Sequence, residues 1–233
     1  MDEKVIVPGT IEYNGITLPP LVITKILESP DIVKCRDDDV FVVSYRKVYI
    51  IVRQPMQLFM HIMKLLQWIL PRFLHLDNYV FVPPIHAVSA FDGLRQIERI
   101  PSPRLIKSHL PYKFFPPQAL EKKCKIIYVA RNPKDTAVPL YYMMKLMPVF
   151  GIFFQSWNHF YQLFSCGKAG CGDWFDHLLD WHKHKEEDNI MFLKYEDIKK
   201  DIRATIKKIA LFLDIEVTDD VMQRIVEYSS IKK

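Results

Sequence analysis

The stretch KIIYVARNPKDTAVPLYY, residues 125–142, contains a strand pattern, a turn and a helix pattern in succession. Its first six residues, Lys125–Ala130, are apolar and rich in β-branched side chains, which is typical of a parallel strand buried on both faces. Asn132 and Pro133 are typical of a helix N-cap and of the first turn of a helix. This order of strand, loop and helix predicts an α/β protein.

Arg131 lies in the loop between the predicted strand and the predicted helix. In an α/β protein, anionic ligands bind in the crevice at the carboxyl end of a strand, where a helix N-terminus faces them. An arginine at that place can donate two hydrogen bonds to such a ligand. A surface arginine that pairs with a carboxylate would have the same local sequence, so the spacing alone leaves both interpretations open.

The composition predicts one globular domain over residues 1–233. With 233 residues and 49% hydrophobic content, the chain can bury one sizeable core. The net charge of +5 suits an acidic ligand but lacks the density that is typical of nucleic-acid binding. The four cysteines match neither a disulfide framework nor a common zinc site, and Met1–Lys4 lacks the apolar segment of a signal peptide. We therefore expect a cytoplasmic protein without a metal or a nucleic-acid partner.

Several other segments predict the elements around the sheet. Residues 1–36 contain Pro-Gly and Pro-Pro pairs and predict an extended arm with one short helix around Leu21–Glu28. The aromatic-rich runs Phe153–Phe164 and Trp174–Lys185 predict helices that cover the sheet, and Asp201–Leu213 predicts an amphipathic helix.

Residues 48–76 form a long apolar segment that is interrupted by charge. Arg53, Lys64 and Arg72 divide it, so no uninterrupted run reaches the ~20 residues that a membrane span needs. The apolar side chains recur at helical spacing, which favours an amphipathic helix packed in the core. A helix that lies on a membrane surface or binds a partner is the alternative.

Six segments in succession resemble the cytosolic sulfotransferases, which transfer a sulfuryl group from 3′-phosphoadenylyl sulfate (PAPS). They are Asp37–Lys47, Pro101–Pro111, Lys125–Thr136, Trp174–His177, Tyr195–Asp197 and Ile215–Ser230. The resemblance is best over residues 36–233, and within this range residues 48–76 diverge from the family. It implies a three-layer α/β sandwich in which helices flank a central, mostly parallel sheet, a fold similar to that of the P-loop NTPases.

The resemblance also implies catalytic roles at the ends of two strands. It makes His109 the general base, Lys47 the cation that stabilises the leaving phosphate, and Lys107 with His109 the contacts of the acceptor. Imidazole titrates near neutral pH and can take a proton from an alcohol or a phenol. Without the resemblance, a single histidine at a strand end would usually be structural. The implied acceptor is a small, apolar phenol, alcohol or amine.

The nucleotide contacts implied by the resemblance lie at four positions. Lys47 and Arg131 would hold phosphates, the second of them the 3′-phosphate of PAPS. Tyr195 would lie near the adenine, and Ser229 belongs to a segment that touches the nucleotide. No metal takes part.

The chain departs from the family pattern at positions that concern the nucleotide. Where the family has Tyr-Pro-Lys-Ser-Gly-Thr-Thr-Trp, the chain has Tyr45-Arg-Lys-Val-Tyr-Ile-Ile-Val52, without the glycine and the hydroxyl side chains. Glycine allows consecutive backbone N–H groups to converge on a phosphate. If three hydrogen bonds of about 1.5 kcal/mol each are lost, nucleotide affinity falls about 1000-fold. Pro139 also replaces a serine that partners the family's 3′-phosphate arginine.

The family's Arg-Lys-Gly loop and its dimerisation segment would follow Lys233, so the sequence predicts a C-terminally truncated domain and argues against a homodimer. Two hypotheses about the function remain open. In the first, the chain is a PAPS-dependent sulfotransferase with impaired activity. In the second, it does not catalyse transfer and is either a relative that binds a small molecule or a partner, or a truncated product without function. The divergence of residues 48–76 also admits a splice variant or a gene-model error.

Overall fold

A computed structural model of the chain describes residues 7, 10–18, 27–29, 31, 33–45, 98–99, 101–146, 153–170 and 172–229. Lys47, the apolar segment 48–76 and most of the short helix predicted around Leu21–Glu28 lie outside the described residues. In the region predicted as an extended arm, β1 (Ile11–Tyr13) and β2 (Ile16–Leu18) pair as an antiparallel hairpin. The prediction for this part of the arm was therefore wrong.

The centre of the described fold is a parallel sheet of four strands in the order β4-β3-β5-β6. The strands are β3 (Val40–Val43), β4 (Leu105–Ser108), β5 (Lys125–Ala130) and β6 (Ile190–Lys194). Val40 lies opposite both Leu105 and Lys125, and Ile126 lies opposite Ile190. Because all four strands run in the same direction, their carboxyl ends meet at one edge of the sheet.

Helices follow and cover the strands. They are α1 (Pro117–Glu121), α2 (Pro133–Leu146), α3 (Trp157–Ser165), α4 (Trp174–His182), α5 (Tyr195–Lys200), α6 (Ile202–Phe212) and α7 (Asp219–Ser229). A 3₁₀ turn, Tyr112–Phe114, connects β4 to α1. None of these helices is long and apolar enough to cross a membrane.

Alternating side chains of the strands pack into two different layers of helix. Val40, Val42 and Ile127 pack against α5, α6 and α7 on one face. Phe41 and Ile126 face the other way and pack with residues of α1 and α4. Helices on both faces of a parallel sheet make the three-layer α/β sandwich that the sequence predicted.

A further aromatic cluster joins α2 and α3. It contains Tyr45, Tyr141 and Phe160, all of them buried. The first of these helices continues through Pro139 to Leu146. The second begins at Trp157 rather than at Phe153 because the Ser156 hydroxyl accepts a hydrogen bond from the His159 N–H at 3.3 Å and caps the helix there.

Candidate functional site

The side chains that follow the four central strands lie at the shared carboxyl edge of the sheet. Ser44 follows β3, His109 follows β4, Arg131 follows β5 and Tyr195 follows β6. Neighbouring strands are about 4.8 Å apart, so the strand that ends at His109 and the strand that ends at Arg131 are separated by about 10 Å. The fold thus places three of the residues singled out in the sequence, His109, Arg131 and Tyr195, along one edge.

The ring of His109 is buried and oriented by the neighbouring strand. Its Nδ1 lies 2.8 Å from the backbone carbonyl oxygen of Ser44, and 5% of the residue is exposed. A carbonyl oxygen can only accept a hydrogen bond, so Nδ1 carries the proton in the neutral ring. The other ring nitrogen, Nε2, is then the atom of the neutral ring that can accept a proton.

Helix α4 holds the main chain of His109. His177 donates from Nε2 to the His109 carbonyl oxygen at 3.1 Å, and Trp181 donates from Nε1 to the Leu110 carbonyl oxygen at 3.0 Å. The Tyr128 hydroxyl lies 3.0 Å from His177 Nδ1. In the sequence, His177 stands out only as part of the family motif Trp174–His177. Its spacing of four residues from Trp181, which places both side chains on one helical face, is the local signal for this contact.

Burial lowers the pKa of His177 to about 4, although the hydrogen bond to the His109 carbonyl opposes that shift. The imidazole of His177 is therefore neutral at physiological pH. With its Nε2 proton directed at a carbonyl oxygen, its Nδ1 accepts the proton of the Tyr128 hydroxyl. Burial likewise raises the pKa of Tyr128, so that hydroxyl stays protonated and can only act here as the donor.

Lys107 is a fully buried residue of β4, and it lies opposite Val42 in the sheet. It precedes His109 by two residues, the spacing that places side chains on the same face of a strand. Its predicted contact with the acceptor stays a prediction.

Arg131 and Tyr195 are in direct contact. The guanidinium carbon of Arg131 lies 4.4 Å from the centroid of the Tyr195 ring, in cation–π geometry. The next residue, Asn132, accepts a hydrogen bond from the Lys134 N–H on its side-chain oxygen at 2.9 Å and so caps α2. The Asn132 N–H donates to the Glu196 carboxylate at 3.0 Å, which ties the loop after β5 to the start of α5.

Two buried polar atoms at this edge have no hydrogen-bond partner within the described part of the chain. They are Arg131 Nε and Ser44 Oγ. A buried donor without a partner is costly, and a phosphate oxygen would satisfy it. The Arg131 atom therefore fits an anionic ligand bound beside the N-terminus of α2, which is the first of the two interpretations that the sequence left open.

The other predicted nucleotide contacts are less fully described. Lys47 lies outside the described residues, and Ser229 is the last residue of α7, with its side chain outside the description. Within the described residues, no group of three or more His, Cys, Asp or Glu side chains could hold a metal ion.

A family profile and several known sulfotransferases are similar to most of the chain. A sequence profile of the sulfotransferase domain matches residues 37–233. Sulfotransferase 1B1 of Canis lupus familiaris is 41% identical over 141 residues, which is 59% of this chain and 46% of that protein. The amine sulfotransferase of Oryctolagus cuniculus is 35% identical over 214 residues, which is 90% of this chain and 67% of that protein. The chain thus spans about half to two thirds of the length of these relatives.

A solved structure gives the same result for the fold. The crystal structure of mouse sulfotransferase SULT7A1 complexed with PAP has a TM-score of 0.78 and 32% identity to the chain. The superposition covers 95% of this chain and 74% of the mouse protein. The chain therefore shares the fold of that sulfotransferase.

Proposed function

Because the chain belongs to the sulfotransferase family, we propose that it transfers a sulfuryl group from PAPS to a hydroxyl or an amine of a small, apolar acceptor. The observation that carries the proposal is the orientation of His109, whose Nδ1 lies 2.8 Å from the Ser44 carbonyl oxygen. This contact makes Nε2 the proton acceptor. The cation–π pair of Arg131 and Tyr195 lies two strands away at the same edge.

In the proposed reaction, the acceptor oxygen or nitrogen attacks sulfur while its proton moves to His109 Nε2. The bond between sulfur and the bridging phosphate oxygen breaks, and its electron pair stays on the 5′-phosphate. The imidazolium that forms is stabilised because its Nδ1–H already donates to the Ser44 carbonyl. Lys47 is the predicted donor to the leaving oxygen, where negative charge develops.

Arg131 and Tyr195 are the described residues that would hold the nucleotide. Within the described residues, Arg131 Nε has no hydrogen-bond partner, and this atom and the positive end of α2 suit the 3′-phosphate. Tyr195, whose ring lies 4.4 Å from the Arg131 guanidinium carbon, is the aromatic residue that would lie near the adenine. PAPS supplies the sulfuryl group, and 3′-phosphoadenosine 5′-phosphate (PAP) is the product.

An apolar acceptor is favoured by the aromatic cluster that borders the edge. Tyr45 follows Ser44 directly and packs edge to face on Phe164, with ring centroids 6.4 Å apart. Its hydroxyl donates to the Gly172 carbonyl oxygen at 2.9 Å, which fixes the ring beside α4. The rabbit relative is an amine sulfotransferase, which supports amines as well as hydroxyl compounds among the acceptors.

A second candidate function is ligand binding without transfer. Pro139 lies inside α2, at the position where the family has a serine that partners the 3′-phosphate arginine. This substitution and the residues Val48–Val52, which replace the family's phosphate loop, would lower the affinity for the nucleotide and leave His109 in place. On this hypothesis, the chain keeps the small-molecule site and has lost effective PAPS binding.

Calorimetric titration with PAP separates the two functions. The proposed function predicts binding that an Arg131→Ala variant abolishes and that Arg203→Ala leaves unchanged. Arg203 is the matched control because it is an exposed arginine on α6. No detectable heat at millimolar PAP would overturn PAPS-dependent transfer in favour of ligand binding.

Where PAP binds, transfer is measured with PAPS and a panel of phenols, alcohols and amines. His109→Ala is expected to lose the factor of about 10²–10⁴ that a general base contributes, while its affinity for PAP stays the same. Equal rates for the wild type and His109→Ala would contradict the role of His109.

A further inference from the structure

We propose that two residues of α4, His177 and Trp181, position the base His109 by holding the peptide carbonyls of His109 and Leu110. We call this pair the α4 clamp. The inference deepens the proposed function and rests on it for the role of His109. Its geometry, however, can be tested without the nucleotide and without catalysis.

The clamp consists of two donors on one face of one helix. His177 and Trp181 are four residues apart on α4, and the carbonyls they bind belong to consecutive residues. The two distances are 3.1 Å and 3.0 Å. Both side chains are buried, with 2% of His177 and none of Trp181 exposed, so water does not compete for the carbonyls. The pair therefore fixes the direction of the chain where it leaves β4.

The donor state of His177 is set from its other side. The Tyr128 hydroxyl, on β5, donates to Nδ1, which leaves the single ring proton on Nε2. The Tyr128 ring is held in turn between Trp181 and Phe192, with centroids at 5.5 Å and 4.7 Å. A chain of hydrogen bonds thus runs from Tyr128 through His177 to the His109 carbonyl. Trp181, the second residue of the clamp, also packs on the Tyr128 ring.

Two separate elements then determine where His109 Nε2 points. The α4 clamp fixes the backbone of His109, and β3 fixes the ring through the Ser44 carbonyl. Without the clamp, the backbone of His109 can shift, and the hydrogen bond from Nδ1 to the Ser44 carbonyl, which defines the tautomer, is weakened. A displacement of about 1 Å of a reacting group can lower a rate about 100-fold, so a contact to the backbone of the base affects catalysis without touching the substrate.

The test compares His177→Gln with His177→Met. The two side chains have similar length, but only glutamine can donate to the His109 carbonyl. Nitrogen-15 spectra of the histidine rings report the tautomer of each imidazole. The chain has 8 histidines, and the His109 signals are identified by their loss in a His109→Ala variant. We expect the wild type and His177→Gln to show His109 with its proton on Nδ1 alone, and His177→Met to show a mixture of tautomers.

Kinetic measurements provide the second readout where the wild type is active. His177→Met is expected to lower kcat about 10- to 100-fold with little change in KM for PAPS, and His177→Gln to recover most of that loss. Identical His109 spectra and rates in the two variants would overturn the clamp. If His177→Met does not fold, Trp181→Phe removes the other donor while it keeps an aromatic ring, and the same expectations apply to it. If no protein shows transfer, the proposed function fails, and the spectra still decide whether the clamp exists.

Discussion

Replacing Arg104 by methionine is expected to destabilise the fold by about 4 kcal/mol, because it leaves a carboxylate buried without its charge partner. Arg104 and Asp39 are 1% and 0% exposed. Arg104 donates from Nε and from one terminal nitrogen to the two carboxylate oxygens of Asp39, at 2.7 Å and 2.5 Å. The same terminal nitrogen also donates to the Lys34 carbonyl oxygen at 2.7 Å. This network fixes the start of β3 to the start of β4.

The magnitude follows from the difference between breaking a buried ion pair and replacing it. Removing one partner of such a pair typically costs about 3–5 kcal/mol, whereas replacing both partners with neutral groups costs much less. Asp39 also accepts the Arg36 N–H at 2.7 Å, and asparagine can keep that hydrogen bond. Adding Asp39→Asn to Arg104→Met is therefore expected to recover about half of the loss, since no buried charge remains.

Urea unfolding followed by circular dichroism measures these free energies. Lys122→Met is the control, because Lys122 forms an ion pair with Asp37 at 2.9 Å in which both side chains are well exposed, and we expect its unfolding midpoint to stay unchanged. A loss below about 1 kcal/mol for Arg104→Met would refute the reasoning, since that is the range of a solvated surface pair. A double variant less stable than the single one would refute it as well.

Three further predictions concern His177, two buried cysteines and Pro139. The pKa of His177 is lowered from 6.5 to about 4, so the unfolded chain binds its proton first, and about 3 kcal/mol of stability should be lost as the pH falls from 6.5 to 4. In urea unfolding at several pH values, His177→Gln should show a smaller loss over that range, and an equal loss would contradict the shift. Burial raises the pKa of Cys35 and Cys124 from 9.0 to about 12, which lowers their thiolate fractions about 1000-fold. Alkylation followed by mass spectrometry should label the exposed Cys166 in the native protein and these two only after unfolding. Pro139→Ser restores a backbone donor inside α2. Because a proline inside a helix removes a backbone hydrogen bond, the change should raise the free energy of unfolding by about 2 kcal/mol and tighten PAP binding. Unchanged stability in urea unfolding together with unchanged PAP affinity in calorimetry would contradict this effect of Pro139.

The central strands and most helices were predictable because their signals are local. β5 coincides with the predicted strand Lys125–Ala130, since an apolar β-branched run and the Asn132-Pro133 helix start act within a few residues. The hairpin of β1 and β2 was missed although Asn14 and Gly15 form its turn, with φ of 47° and 75°. Asn-Gly is a strong hairpin signal, but the flanking strands of three residues are too short to show a clear alternation.

Arg131 was predicted from its place between a strand and a helix and the other site positions from the resemblance, whereas the contacts of these residues came only from the fold. Arg131 and Tyr195 are separated by more than sixty residues in sequence, as are His109 and His177, so no periodicity links the members of either pair. What brings them together is the parallel order of the strands, which places residues after different strands at one edge. The sequence pattern predicted where the strands end, but it does not contain the order in which the strands lie in the sheet.

The separation between the base and the nucleotide contacts explains how one chain can combine a preserved His109 with an altered phosphate loop. His109 depends on the Ser44 carbonyl and on α4, and neither contact involves Val48–Val52 or Pro139. Arg131 depends on Tyr195 and on the loop before α2. On the proposed function, substitutions after β3 lower nucleotide affinity and leave the contact between His109 Nδ1 and the Ser44 carbonyl in place. On the second hypothesis, a chain that has lost PAPS binding keeps the contacts of His109 with Ser44 and α4 and can still bind a small molecule.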